Sequence, residues 1–145
     1  MFVPVLLGFA LGTVCMLLHA LGTAWWLRHQ KHRYPDVHSG VGMRTLMSLL
    51  GLTLTVLTSL HVLQIVIWAV AYRLIPEVSA LRDLEEAVYF SLVTFTTVGY
   101  GDVVVEKGWR IMAGIEALNG ILLMGWSTAV LLAVAQRFWR VRDEE

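Results

Sequence analysis

Thr96-Thr97-Val98-Gly99-Tyr100-Gly101-Asp102 is the stretch from which the rest of the chain is read. It follows Tyr89-Phe90-Ser91-Leu92-Val93-Thr94-Phe95, a helix-compatible run that stops where Val98 lies between a threonine and a glycine. Gly99 and Gly101 flank Tyr100, so alternate residues are free to take backbone angles that a Cβ resists. That alternation lets successive carbonyls face one way instead of alternating sides as they do in a strand. A row of such oxygens, with the Thr97 hydroxyl one step below, is a ligand set for a dehydrated cation. The plainer reading is a glycine-rich turn between two membrane helices.

Composition fixes the solvent. Of 145 residues, 57% are hydrophobic and only 15% charged, against about 25% charged in soluble domains. Lipid is the expected surrounding. Acids and bases balance at 11 each, so no polyanionic partner and no nucleic acid is expected. Cys15 is the single cysteine and cannot close an intrachain disulfide. One domain is expected, with no room for a separate enzyme or ligand-sensing domain.

Residues 2–27 carry no charge, and a spanning helix needs about 20 such residues. Arg28, Lys31 and Arg33 follow this run instead of preceding it, which argues for an uncleaved span with its N-terminus outside. Gly8, Gly12 and Gly22 favour close packing on a neighbour. Residues 28–44 hold four Lys/Arg, three His, Pro35 and Gly40, and the positive-inside rule makes them a cytoplasmic loop. Residues 45–72 form a second apolar span. On it His61, Gln64, Trp68 and Tyr72, spaced 3, 4 and 4, share one face and read as a stripe buried between helices, with a titrating His61 as the alternative.

A linker with Pro76 follows, and then residues 84–95 are helical in pattern. At about 1.5 Å per residue they cover about 18 Å, short of a hydrocarbon core of about 30 Å. The segment must therefore be re-entrant. Its C-terminal end, with partial negative charge, is expected to face a cation. Residues 103–108 return to the outer surface, and 111–136 form a third span with Glu116 as its only charge. Arg137, Arg140 and Arg142 then mark a cytoplasmic C-terminus. The expected division is 1–44 for the first span and basic loop, 45–137 for a pore module, and 138–145 for a short tail.

The nine positions Thr94-x-x-Thr97-Val98-Gly99-Tyr100-Gly101-Asp102 resemble the potassium-channel pore loop without a departure. The likeness covers about residues 45–137 and extends to small bacterial potassium channels with a single pore loop. It is carried there by His61-x-x-Gln64-x-x-x-Trp68 and by Glu116-Ala117-Leu118-Asn119-Gly120. The resemblance implies an all-α membrane protein of three transmembrane helices, a re-entrant pore helix and a selectivity filter. One pore loop per chain implies a homotetramer in the cell membrane. Potassium ions are then the permeant ligand and membrane lipid the surrounding, with no cofactor and no enzymatic activity.

By the same resemblance the carbonyls of Thr97, Val98, Gly99 and Tyr100, with the Thr97 hydroxyl, hold the ion, and Gly101 completes the filter. Tyr100 braces it, and Tyr89 is placed to hold Asp102 at the outer mouth. Ala117, Ile121, Met124 and Thr128 line an inner cavity, and Gly120 and Gly125 match hinge-region glycines, with close packing as the alternative. Val93 stands where many potassium channels carry a carboxylate behind the filter. Glu116 shares a face with Asn119, Gly120, Leu123 and Ser127, away from the cavity stripe. It is expected to supply that support by bonding Ser91 or Thr94.

Other features limit the mechanism. No arginine recurs at every third position, so a voltage sensor is not expected. The tail is too short for a nucleotide- or calcium-binding gate. A non-conducting membrane subunit acting through the first span and basic loop is the competing class. A non-selective cation channel would carry a disturbed Gly-Tyr-Gly, and here it is intact. His29, His32 and His38 read as solvated side chains, not as a metal site. The first span has no role assigned by its sequence.

Overall fold

The computed structural model describes residues 2–33, 43–81 and 83–142, with side chains through Gln136. Four helices follow in order: α1 (Phe2–Arg33), α2 (Met43–Arg73), α3 (Leu84–Phe95) and α4 (Arg110–Arg142). Phe2–Arg33, Met43–Arg73 and Arg110–Gln136 are long and apolar enough to cross a membrane. At 12 residues α3 is not.

Two boundaries differ from the sequence reading. α1 runs on through Arg28 and Lys31 to Arg33, and α4 runs on to Arg142 where a tail was expected. Charge ends a membrane span without ending a helix, because Lys, Arg and Gln are good helix formers. Residues 34–42 of the basic loop, with Pro35, His38 and Gly40, lie outside the described residues, and its last two residues open α2.

α3 starts because Asp83 caps it. The Asp83 carboxylate accepts the Glu86 amide at 2.8 Å, and Glu85 and Glu86 place negative charge at the positive end of the helix. Phe90, Ala87 and Phe95 of α3 then pack with Trp68 and Tyr72 of α2 and Met112 and Leu123 of α4. The short helix is wedged between the two long ones.

α1 belongs to the same packed unit, with Cys15 buried in that core. Its buried residues, Pro4, Gly8, Gly12, Cys15, His19, Thr23, Trp26 and Gln30, recur every three or four positions and form one seam. Gly8 lies against Ile115, Gly12 against Asn119, and Gly22 against Leu60. Polar contacts fix the register. Asn119 Nδ2 donates to Gly12 O at 3.2 Å. Thr53 Oγ1 accepts from Trp26 Nε1 at 3.1 Å and from Gln30 Nε2 at 2.8 Å, and donates to Leu49 O. Lipid offers no alternative partner for such groups, so slipping the helix would strand them.

Candidate functional site

The site begins where α3 ends. The Thr97 amide donates back to Thr94 O at 2.9 Å and the Gly99 amide to Val93 O at 3.2 Å, folding the chain back along the helix. Thr97, Gly99 and Gly101 have positive φ, at 62°, 56° and 77°. Every second residue is thus left-handed through the motif. The glycines adopt this freely, whereas a β-branched Thr97 does so at a cost of about 1–3 kcal/mol that its surroundings must offset. A Cβ at Gly99 or Gly101 would meet no heavy atom within 4 Å. Backbone angle, and not space, selects glycine there. Val98 and Tyr100 are exposed within the protomer.

At the far end of the motif the Tyr89 hydroxyl donates to Asp102 Oδ2 at 2.6 Å, and Asp102 Oδ1 accepts the Val103 amide at 3.0 Å. The tyrosine hydroxyl, followed by that amide, holds the Asp102 carboxyl below the usual carboxylate range. Between α3, the motif and the start of α4 lies a cavity of about 350 Å³, lined by Tyr89, Val93, Thr94, Gly99, Val104 and Arg110.

A second clamp lies farther out. Glu106 Oε1 accepts the Ser79 hydroxyl at 2.7 Å, the Ser79 amide at 2.8 Å and the Ala80 amide at 3.1 Å. It ties the loop after the motif to the linker before α3. These donors, the Ser79 hydroxyl foremost, keep the Glu106 carboxyl below its ordinary range. A depressed carboxyl stabilises the fold above its unfolded pKa of about 4.3, and that contribution is lost as pH falls through the lower folded value. Glu106→Ala is expected to speed hydrogen exchange at the Ser79 and Ala80 amides several-fold near neutral pH. Unchanged exchange there would dismiss the clamp.

On α4, Gly120 meets the end of α3 directly. A Cβ at Gly120 would collide with Phe95 O, a backbone atom. At Gly125 a Cβ would meet nothing within 4 Å. Ile121, Met124 and Thr128 are exposed and Ala117 partly so, while Glu116, Asn119, Gly120, Leu123 and Ser127 are buried. Glu116 is fully buried, with Tyr72 and Ser91 beside its carboxyl. Neither hydroxyl completes a hydrogen bond to it, so both carboxyl oxygens, Tyr72 Oη and Ser91 Oγ have no direct partner. Thr94, the other expected partner, lines the cavity behind the motif instead.

Sequence reasoning did not anticipate Tyr72 beside Glu116, the Glu106 clamp, or His19. The last was signalled by its place in the three-and-four spacing of the α1 seam. Among the described residues no three His, Cys, Asp or Glu side chains are grouped to hold a metal. His29 stacks instead on Trp25 and Trp26, with ring centroids 5.8 and 6.0 Å away.

A 12-residue helix followed by an alternating left-handed backbone lies between two helices long and apolar enough to cross a membrane. The family described as "Ion channel" matches residues 56–137, and the chain belongs to it. That membership points to a channel and away from an enzyme. The chain is also 41% identical over 56 residues to the calcium-gated potassium channel TvoK of Thermoplasma volcanium. That stretch is 38% of this chain and 16% of the relative, so this chain spans only a small part of that protein. No solved structure matches it significantly.

Proposed function

We propose that four copies of this chain form a potassium-selective channel that conducts K⁺ passively through a central pore. The observation that carries this reading is the positive φ at Thr97, Gly99 and Gly101, directly after a 12-residue helix too short to cross a bilayer. The carbonyls of Thr97, Val98, Gly99 and Tyr100, with the Thr97 hydroxyl, replace the hydration shell of the ion. Gly101 lets the chain leave the filter, and Tyr89 holds Asp102 at its mouth. The likeness to a channel named for potassium supports K⁺ as the ion. The N-terminus faces outside, and the basic end of α1 and the C-terminus face the cytoplasm. Ala117, Ile121, Met124 and Thr128 line the cavity, and Gly125, unobstructed, is the better candidate for a hinge.

Purified protein in liposomes tests the function. Uptake driven by a K⁺ gradient, at least about tenfold above that driven by Na⁺, is expected of a carbonyl filter. Equal K⁺ and Na⁺ uptake refutes selectivity, and no uptake of either favours a non-conducting subunit.

Glu116 fills the space beside Ser91 of the pore helix and Tyr72 of α2 in this reading, supporting the filter by packing and not by a direct hydrogen bond. Leaving a buried charge unpaired is expensive, so Gln, which keeps shape and hydrogen-bonding capacity, should be tolerated. Glu116→Ala removes that packing and opens a cavity, and a loss of about 2–4 kcal/mol is expected. Wild-type melting temperature and conductance in Glu116→Ala would end the assignment.

A further inference from the structure

Where α1, α2 and α4 meet, four polar side chains form one chain of contacts, three of them buried and His61 half-buried. Gln64 Nε2 lies 3.2 Å from Cys15 O and 3.2 Å from His19 Nδ1. His19 Nε2 lies 3.2 Å from Ser127 Oγ, and Ser127 Oγ lies 2.9 Å from His61 Nε2. The two imidazoles stack with centroids 5.0 Å apart. Donor and acceptor roles follow from the ends. An amide nitrogen only donates, so His19 Nδ1 accepts and its hydrogen sits on Nε2, pointing at Ser127. The serine hydroxyl then donates to His61 Nε2, and His61 keeps its ring hydrogen on Nδ1, which has no partner. In this state both rings are neutral.

We propose that this cluster is a proton-binding site that lowers conduction on acidification. It takes one proton with a single rearrangement. His61 Nε2 gains the proton, and Ser127 turns its hydroxyl away and accepts from both rings through its two lone pairs. A second proton has no place, because His19 Nδ1 faces an N–H and the rings are stacked. Few other titratable groups face the pair. α1 contributes Cys15, one turn from His19; α2 contributes Gln64; α3 contributes Phe95; and α4 contributes Ser127 and Trp126. Glu116, the carboxylate of α4, keeps company with Tyr72 and Ser91 instead.

The site is coupled to the filter through His61. Its ring centroid is 5.8 Å from that of Phe95, the last residue of α3. Phe95 O is the atom against which Gly120 packs. An imidazolium there occupies the negative end of the pore-helix dipole, which otherwise favours the permeant cation.

This inference rests on the channel reading, and its test separates the two. K⁺ flux through the reconstituted full chain is measured at pH 8 and pH 5. Wild type is expected to lose about tenfold of its flux at the lower pH, while His61→Gln and Ser127→Ala, each assayed as folded protein, lose far less. Equal wild-type flux at both pH values overturns the proposal, and so does the wild-type loss persisting in both variants. Absence of flux at either pH rejects the channel reading alone. The proton site is then decided by ring ¹⁵N NMR, where one imidazole of the pair titrating above pH 5 supports it and two neutral rings overturn it.

Discussion

Gly99→Ala is expected to abolish K⁺ flux while leaving the helices and their packing in place. Gly99 has φ of 56°, and nothing within 4 Å would obstruct a methyl group. The penalty is therefore conformational, about 1–2 kcal/mol for a left-handed residue bearing a Cβ. In the proposed tetramer it applies four times around one axis, and every copy would add a carbonyl that no longer points at the ion. The damage falls on geometry and not on burial, because Gly99 touches none of the core formed by Trp68, Tyr72, Phe90 and Phe95. Circular dichroism and tetramer yield should match wild type. Retained K⁺ flux in this variant would falsify the filter assignment. A collapse of helix content would show that Gly99 serves the fold instead.

The sequence made the architecture legible where chemistry is local. Leu84–Phe95 was readable to the residue, because a charged linker precedes it and the glycine-bearing motif follows it. The three long apolar runs were equally plain, since length and absence of charge suffice to mark a span. The helix ends at Arg33 and Arg142 were not, because the rule that marks membrane boundaries does not mark helix boundaries. The partition of α4 into a buried Glu116 face and an exposed Ile121 face followed from a 3.6-residue period alone. Ser91 beside Glu116 apart, which residue of another helix each face meets did not follow. Tyr72 beside Glu116, Ser127 between two histidines, and Asn119 on Gly12 O are contacts across 44 to 108 positions of chain. Periodicity orients a side chain on its own helix and says nothing about its partner.

Gly120→Ala is expected to harm the fold, although it lies outside the filter motif. Alanine in a helix is ordinarily favoured over glycine, by about 1 kcal/mol, so a substitution free of contact would stabilise α4. Here the added methyl is aimed at Phe95 O. The obstacle is backbone and not the end of a flexible side chain, so it cannot move aside by changing rotamer. Relief requires either α4 to back away from α3 or the last turn of α3 to shift. The second option displaces Thr96 and Thr97, which hydrogen-bond to that turn through Leu92 O and Thr94 O. The first separates Met112 and Leu123 of α4 from Phe90 and Phe95. Overpacking of this kind costs about 1–3 kcal/mol per chain, enough to outweigh the gain in helix propensity. The expected result is a lowered melting temperature, fewer tetramers on gel filtration and K⁺ flux reduced in the tetramers that remain. Gly125→Ala is the control, since its methyl would meet nothing within 4 Å of the same protomer, and its melting temperature should equal or exceed wild type. If Gly120→Ala matches that control in stability and wild type in flux, the close approach of α4 to α3 is wrong and Gly120 is free to act as a hinge.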